Sequence, residues 1–156
     1  MTDIQTLRRI LRQSKTIAMV GLSANWYRPS FFAAKYLQDH GYRVIPVTPR
    51  YESVLGEKAW PSLLDVPEPV DVVDCFRRSE EIPALARQAI RIEAKVLWMQ
   101  LGIENAEAET IARAGGLEVI SNRCMKIEYA RLFGGLNFIG VDTKVISSKR
   151  PLWVPY

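Results

Sequence analysis

Two kinds of hydrophobic pattern alternate along the chain. Short apolar runs, typical of strands buried on both faces, lie at residues 16–20, 43–47, 70–76, 95–99 and 117–120. Apolar residues spaced three or four apart, typical of amphipathic helices, occupy residues 3–13, 30–40, 80–90, 105–114 and 125–133. Because the connections are short, this alternation predicts a parallel sheet with helices on both faces. The expected fold class is α/β, with a doubly wound parallel sheet of about five strands in a single domain.

Single residues refine this prediction. Gly41 is expected to end the second helix, and Ser79 to cap the third one, with Glu80 and Glu81 favoured by the helix dipole. Pro46 cannot donate a ladder hydrogen bond, so the second strand is expected to be partly unpaired there. Residues 60–65 predict a short helical turn in a connection.

The segment after the first strand carries the clearest functional signal. Gly21 ends the apolar run, a short polar loop follows, and Arg28-Pro29-Ser30 opens the next helix. A helix N-terminus offers unpaired N–H groups and a positive dipole end, which attract anions. A nucleotide-type ligand is therefore expected. In a doubly wound sheet it lies beyond the carboxyl ends of the strands, which are followed here by loops 21–30, 48–53, 76–79, 100–104 and 121–125.

The loop sequences distinguish between nucleotide classes. A dinucleotide fingerprint needs three glycines in register, but Leu22 and Ser23 follow Gly21. An NAD site places an acid after the second strand, where this chain has Arg50, which suits a phosphorylated ribose. Both NADP and coenzyme A (CoA) carry such a phosphate, and the missing fingerprint weighs against NADP.

Composition and charge limit which partners and which cellular location are expected. The chain has 156 residues and a formal net charge of +4, a mild and scattered excess that argues against a nucleic-acid partner but favours a small polyanion. No apolar run is long enough to cross a bilayer, and the N-terminal residues do not resemble a secretory signal. Two cysteines make no disulfide framework, so a cytoplasmic location is expected.

The chain offers little for catalysis or metal binding. One histidine and two distant cysteines exclude a Ser–His–Asp set and the usual zinc spacings. The histidine, His40, falls at the end of a predicted helix. Asp71 and Asp74 are three apart in a strand, so they are expected to face opposite sides and not to form a carboxylate pair.

An ordered set of short segments resembles a known family. The segments are Val20-Gly-Leu-Ser23, Arg28-Pro-Ser30, Gly41-Tyr-Arg-Val-Ile-Pro-Val-Thr-Pro49, Leu55-Gly-Glu57, Pro69-Val-Asp-Val-Val-Asp-Cys-Phe-Arg-Arg-Ser79, Trp98-Met-Gln-Leu-Gly-Ile103 and Asn122-Arg-Cys-Met-Lys-Ile-Glu128. The chain resembles the small stand-alone CoA-binding proteins, which are similar to the nucleotide-binding domain of the succinyl-CoA synthetase α subunit without its partner domain. The resemblance implies a Rossmann-like fold and bound CoA, but no established reaction. It places a CoA-binding domain at residues 1–136 and leaves 137–156 as a C-terminal tail.

The resemblance also implies where the nucleotide half of CoA binds. The backbone of Gly21, Leu22, Ser23 and Ala24, with the Ser23 hydroxyl, would surround the pyrophosphate. Arg28 and Ser30 would add a charge and a hydroxyl at the helix start.

The remaining contacts implied by the resemblance lie on the other loops. Arg50 would face the ribose phosphate, with Pro49 and Tyr51 against the adenine; the synthetase has a lysine in roughly this loop, so Arg50 matches in chemistry and not in identity. The pantetheine arm would pass Phe76, Arg77, Arg78, Gln100, Leu101 and Gly102.

Several residues allow two interpretations. Arg77 and Arg78 precede a helix, where positive charge is unfavourable, so either a ligand phosphate or the neighbouring glutamates would compensate them. Cys124, near an arginine and a helix start, would have a stabilised thiolate able to form a mixed disulfide with the CoA thiol; a buried, inert thiol is the favoured alternative. Lys126 and Arg123 are expected at the surface.

Binding of CoA or a short acyl-CoA is therefore the favoured function, with binding favoured over catalysis. The synthetase reaction uses a phosphohistidine on a second domain, which this chain lacks, and His40 lies in the wrong region. Two alternatives stay open: an NADP-dependent oxidoreductase, and a ligand-free interaction module. In the second, the tail segment 149–156, with two prolines and two aromatic residues, docks a partner or a second copy of the chain. A homo-oligomer is thus left open.

Overall fold

The computed structural model describes residues 3–134, and the tail at 137–156 lies outside the described residues. The strands are β1 (Thr16–Val20), β2 (Arg43–Val47), β3 (Ser53–Val54), β4 (Glu57–Lys58), β5 (Val72–Cys75), β6 (Val96–Met99) and β7 (Glu118–Ile120). The helices are α1 (Ile4–Gln13), α2 (Pro29–Asp39), α3 (Ile82–Arg91), α4 (Ala106–Ala114) and α5 (Met125–Phe133). None of these helices has both the length and the hydrophobicity that crossing a bilayer requires.

Five of the strands form one parallel sheet in the order β2-β1-β5-β6-β7. The chain moves from β1 to β2 on one side and then returns to β5 on the other side of β1. The strand order therefore reverses between β1 and β5, and this is the crevice where such sheets bind ligands. The predicted α/β fold with a doubly wound parallel sheet is confirmed.

Each face of the sheet is covered by its own set of helices. One face carries Met19, Val72 and Trp98 under α1, α2 and α5. The opposite face carries Val73 and Leu97 under α3 and α4. Every residue of β5 and β6 is buried, which explains why those strands show continuous apolar runs and not alternation.

Three local features differ from or extend the sequence predictions. The third helix begins at Ile82, after a 3-10 turn at Ser79–Glu81. Ser79 does not cap it, because its hydroxyl donates to the Glu104 carbonyl. The antiparallel pair of β3 and β4 was not predicted, because two-residue strands leave no periodic pattern.

Pro46 lies where the predicted loss of pairing costs least. Strand β2 is at the edge of the sheet, and the Pro46 carbonyl accepts from the Trp60 N–H on the outer side, at 3.0 Å. Trp60 in turn accepts from the Thr48 N–H at 2.8 Å. The proline nitrogen therefore faces the edge and not β1.

Asp71 ties the amino ends of two central strands together. Its Oδ2 accepts from the Lys15 and Thr16 N–H groups at 2.8 and 3.0 Å, and Lys95 Nζ lies 3.5 Å from Oδ1. Burial opposes ionisation, but these hydrogen bonds outweigh it and hold the pKa of Asp71 below its usual value. Asp71 is therefore a structural residue at the end of the sheet away from the crevice, and it forms no pair with Asp74.

Replacing Asp71 by alanine should lower the free energy of unfolding by about 1–3 kcal/mol, because two backbone N–H groups lose their acceptor. The folded-state pKa lies below the unfolded value of about 3.9, so the stabilisation is complete above that pH and disappears as the pH falls through the folded-state pKa. Urea unfolding at several pH values measures both effects. The exposed Asp65→Ala is the control; an equal loss in both variants would contradict the assignment.

Candidate functional site

Gly21 is required by the close approach of β1 and β5. It has φ of 89°, and a Cβ placed on it would lie 2.4 Å from the Phe76 carbonyl oxygen. Its N–H donates to Val47 O at 3.0 Å. Packing alone therefore accounts for this glycine, and it also brings the loop after β1 directly beside the end of β5.

The loop from Gly21 to Ser30 is held by its own hydroxyl groups. Ser30, 4% exposed, accepts through Oγ from the Ser23 N–H at 3.0 Å. Ser23 Oγ accepts from the Asn25 N–H at 3.1 Å and lies 3.5 Å from Tyr51 Oη. Ser30 thus anchors the loop to α2. Its hydroxyl has a structural role of its own, apart from the predicted contact with a ligand.

The other predicted residues of this loop differ in what they can offer. Leu22 is 1% exposed with its backbone included, so it offers almost no surface to a ligand. Ala24 and Arg28 are exposed. Arg28 is the N-cap residue of α2 and makes no side-chain capping bond, which leaves the guanidinium at the start of the helix.

The loop after β2 approaches the same place from the other side. Pro49 and Arg50 are exposed, and the Arg50 N–H donates to Thr48 Oγ1 at 3.2 Å. Tyr51 is half-buried, and its hydrogen bond with Ser23 lowers the pKa of the Tyr51 hydroxyl. The structure thus brings Tyr51 against the first loop.

A cavity of about 890 Å³ opens beside these loops. Its lining residues come from the start of α2, the ends of β5 and β6, and the start of α5: Tyr27, Pro29, Phe32, Phe76, Arg77, Arg78, Glu81, Gln100, Leu101, Ile103, Cys124, Lys126 and Ile127. Six predicted site residues therefore meet here, namely Phe76, Arg77, Arg78, Gln100, Leu101 and Cys124. Gly102 is not among the lining residues; it is exposed, and its N–H donates to Asn122 Oδ1 at 2.7 Å.

The two arginines at the mouth of the cavity share one glutamate. Arg77 donates from Nε and Nη2 to Glu81 Oε1 at 3.0 and 2.7 Å, and Arg78 Nε lies 3.3 Å from Glu81 Oε2. The Arg77 hydrogen bonds hold the pKa of Glu81 below its usual value. Of the two interpretations, the salt bridge is the one present, and it uses Glu81. With two cations on one carboxylate, the mouth keeps an excess of positive charge.

The start of α5 corrects two expectations. Burial raises the pKa of the Cys124 thiol, although the N–H groups of Ile127 and Lys126 oppose this effect. The predicted stabilised thiolate was therefore wrong, and the thiol matches the favoured, unreactive alternative. Lys126 is buried at 5% exposure and lines the cavity, so its predicted surface position was also wrong. Arg123 is half-buried and 3.6 Å from Glu128 Oε2.

Two functional candidates escaped sequence reasoning. Lys126 follows a strand at the carboxyl edge of the sheet, and that position was the available signal. Asp74 is completely buried, with Gln100 Nε2 donating to its Oδ1 at 2.6 Å. Burial raises the pKa of Asp74 to about 7. A lone carboxylate inside the apolar run of β5 was the signal here.

Comparison with known proteins agrees with this geometry. Residues 15–130 match a protein family described as CoA binding domain. The uncharacterized protein YneT of Bacillus subtilis is 41% identical over 124 residues, covering 80% of this chain and 92% of YneT. A solved structure of a hypothetical protein from Pyrococcus horikoshii has 43% identity and a TM-score of 0.83, covering 85% of this chain and 94% of that one.

A larger enzyme is similar over a part of its length. The ADP-forming acetate–CoA ligase of Methanocaldococcus jannaschii is 29% identical over 155 residues, which cover 86% of this chain but 22% of the ligase. The similarity is thus to one segment of that ligase. Because the family match extends over most of the sequence and includes the loops at the crevice, the chain belongs to the CoA binding domain family.

Proposed function

We propose that this protein binds coenzyme A or a short acyl-CoA at the crevice between β1 and β5. The observation that carries the proposal is the cavity beside the Gly21–Ser30 loop, in a chain of the CoA binding domain family. The nucleotide half would lie on the loops after β1 and β2, and the pantetheine arm would enter the cavity. The partner is thus a small nucleotide ligand.

For the nucleotide half, the proposal rests on exposed backbone and charge. The backbone of Gly21, Ser23 and Ala24, with the uncapped start of α2, would bind the diphosphate, with Arg28 as counter-charge. Arg50, which is exposed and has no ion pair within 4.0 Å among the described residues, would bind the ribose phosphate.

For the arm, the proposal rests on shape and polarity. Phe32, Phe76 and Ile103 supply apolar walls, which suit the saturated chain of pantetheine. Gly102 would lie at the rim, and Cys124 would contact the ligand as a neutral thiol, because burial raises its pKa. A thiol in that state is a poor nucleophile, so we propose that Cys124 forms no mixed disulfide with the CoA thiol. Two free cysteines in the described residues fit a cytoplasmic protein.

Isothermal titration should show that CoA binds more tightly than dephospho-CoA, NAD or NADP. Replacing Arg50 by alanine should weaken CoA binding by about tenfold, the size of one lost charge-assisted hydrogen bond, and leave dephospho-CoA binding unchanged. The exposed Arg91→Ala, at the end of α3, is the control. Tight NADP binding would favour the oxidoreductase, and failure to bind any nucleotide would favour the interaction module.

Gly21→Ala should abolish most CoA binding, because its Cβ would collide with the Phe76 carbonyl and displace the loop. The matched control is Gly116→Ala, which has a similar φ of 92° but open space around the added Cβ. Both variants carry the cost of positive φ, about 1–2 kcal/mol, so only the collision distinguishes them. Titration and thermal unfolding measure the pair. Wild-type affinity in Gly21→Ala would contradict a binding site built on this loop.

A further inference from the structure

A buried acid and an amide form a pair beneath the cavity. Asp74, in β5, is in register with Met19 on β1 and Trp98 on β6. Its side chain is 0% exposed. Gln100 follows β6 directly, lines the cavity and is 4% exposed. The 2.6 Å hydrogen bond from Gln100 Nε2 to Asp74 Oδ1 therefore connects the sheet interior to the cavity wall.

Burying this pair costs free energy of folding that an apolar side chain would not. Asp74 Oδ2 is buried and has no hydrogen-bond partner among residues 3–134. An ionised carboxylate in such surroundings is costly, and an apolar side chain of similar size would avoid the cost. Stability therefore does not explain the pair.

The pair fixes the orientation of the Gln100 amide. An ionised carboxylate can only accept hydrogen bonds, so Gln100 must turn its NH₂ group toward Asp74. The carbonyl oxygen Oε1, at the other corner of the amide, is then directed away from Asp74. Gln100 lines the cavity, so an amide held in this way can offer Oε1 to a ligand there.

The other side-chain oxygens of the cavity lining belong to Tyr27, which is 61% exposed, and to Glu81, which is already bonded by both arginines. Arg77, Arg78 and Lys126 can only donate when charged. A ligand with an amide N–H that enters between apolar walls needs an acceptor, since an unpaired buried donor is costly. The pantetheine arm of CoA carries such amides along a saturated chain.

We propose that Gln100 Oε1 accepts a hydrogen bond from an amide N–H of the pantetheine arm, and that Asp74 is the positioning residue that holds Gln100 in this orientation. The inference rests on the proposed function and names the contact by which the cavity recognises the arm.

Protonation of Asp74 should reverse the orientation. A protonated carboxyl can donate to Gln100 Oε1, which turns the NH₂ group toward the cavity, where it cannot accept. Burial places the pKa of Asp74 near 7, so the change falls in an accessible range. The other titratable groups nearby are Cys75 on the same strand, and Cys124 and Lys126 at the start of α5. Burial raises the pKa of both thiols, which keeps them neutral around pH 7.

The test compares CoA with its own nucleotide half, adenosine 3′-phosphate 5′-diphosphate, carried as the methyl ester of the terminal phosphate, by isothermal titration. The ester makes the diphosphate a diester, as it is in CoA, so the ratio of the two affinities isolates the pantetheine arm and cancels the titration of the shared 3′-phosphate. In the wild type the ratio should be about three- to tenfold larger at about pH 8 than at about pH 6, the effect of one hydrogen bond.

Two variants assign the pH effect to the pair. Gln100→Leu should lower the ratio at high pH and make it independent of pH, because it removes the acceptor. Asp74→Asn should also remove the pH dependence, because it removes the titrating group. Asp71→Asn, at the other end of β5, is the matched control and should keep the wild-type profile. Thermal unfolding checks that each variant folds. If Asp74→Asn does not fold, Gln100→Leu decides the test.

The possible results distinguish a failure of the proposed function from a failure of this inference alone. If neither CoA nor its nucleotide half binds, the proposed function fails and this inference fails with it. If both bind but their affinity ratio is the same at both pH values, or Gln100→Leu keeps the wild-type ratio, the inference alone is overturned. If the pH dependence persists in Asp74→Asn, another group causes it, and the inference is likewise overturned.

Discussion

The close contact between the ends of β1 and β5 is the constraint on which this structure depends. At Gly21 the chain passes so near the Phe76 carbonyl that no side chain fits. The same contact is the point where strand order reverses, so it also positions the crevice. A loop with exposed backbone and a loop with two arginines are thereby brought to one edge of the sheet. Packing therefore accounts for this glycine and for the position of the crevice.

Charge is distributed unequally between the two ends of the sheet. At the amino end, Asp71 satisfies backbone N–H groups and is paired with Lys95, so its charge is well compensated. At the carboxyl end, the cations Arg77 and Arg78 share a single carboxylate, and Arg28 and Arg50 stand exposed on neighbouring loops. An anionic ligand would compensate this excess. The carboxyl edge of the sheet thus keeps cations without a carboxylate of their own, whereas Asp71 at the amino edge is compensated.

Similarity to larger CoA enzymes has a simple structural basis. A doubly wound sheet provides its ligand crevice within one domain, so the binding unit is separable from the domains that perform chemistry. The similarity to the archaeal acetate–CoA ligase covers 86% of this chain but 22% of the ligase. The family relationship therefore concerns the domain and says nothing about the reaction of the whole ligase.

The sequence by itself determined the parallel sheet, its two covered faces, the nearly exact limits of most elements and the edge at which a ligand would lie. These features follow from the periodicity of apolar residues within each strand or helix and from the short connections between them. Only the tertiary structure decided that Ser30 bonds to Ser23, that Lys126 is buried, that the Cys124 thiol is neutral and that Asp74 meets Gln100. Burial, and the pKa values it shifts, depend on which distant segments cover a side chain, and no local pattern records that information.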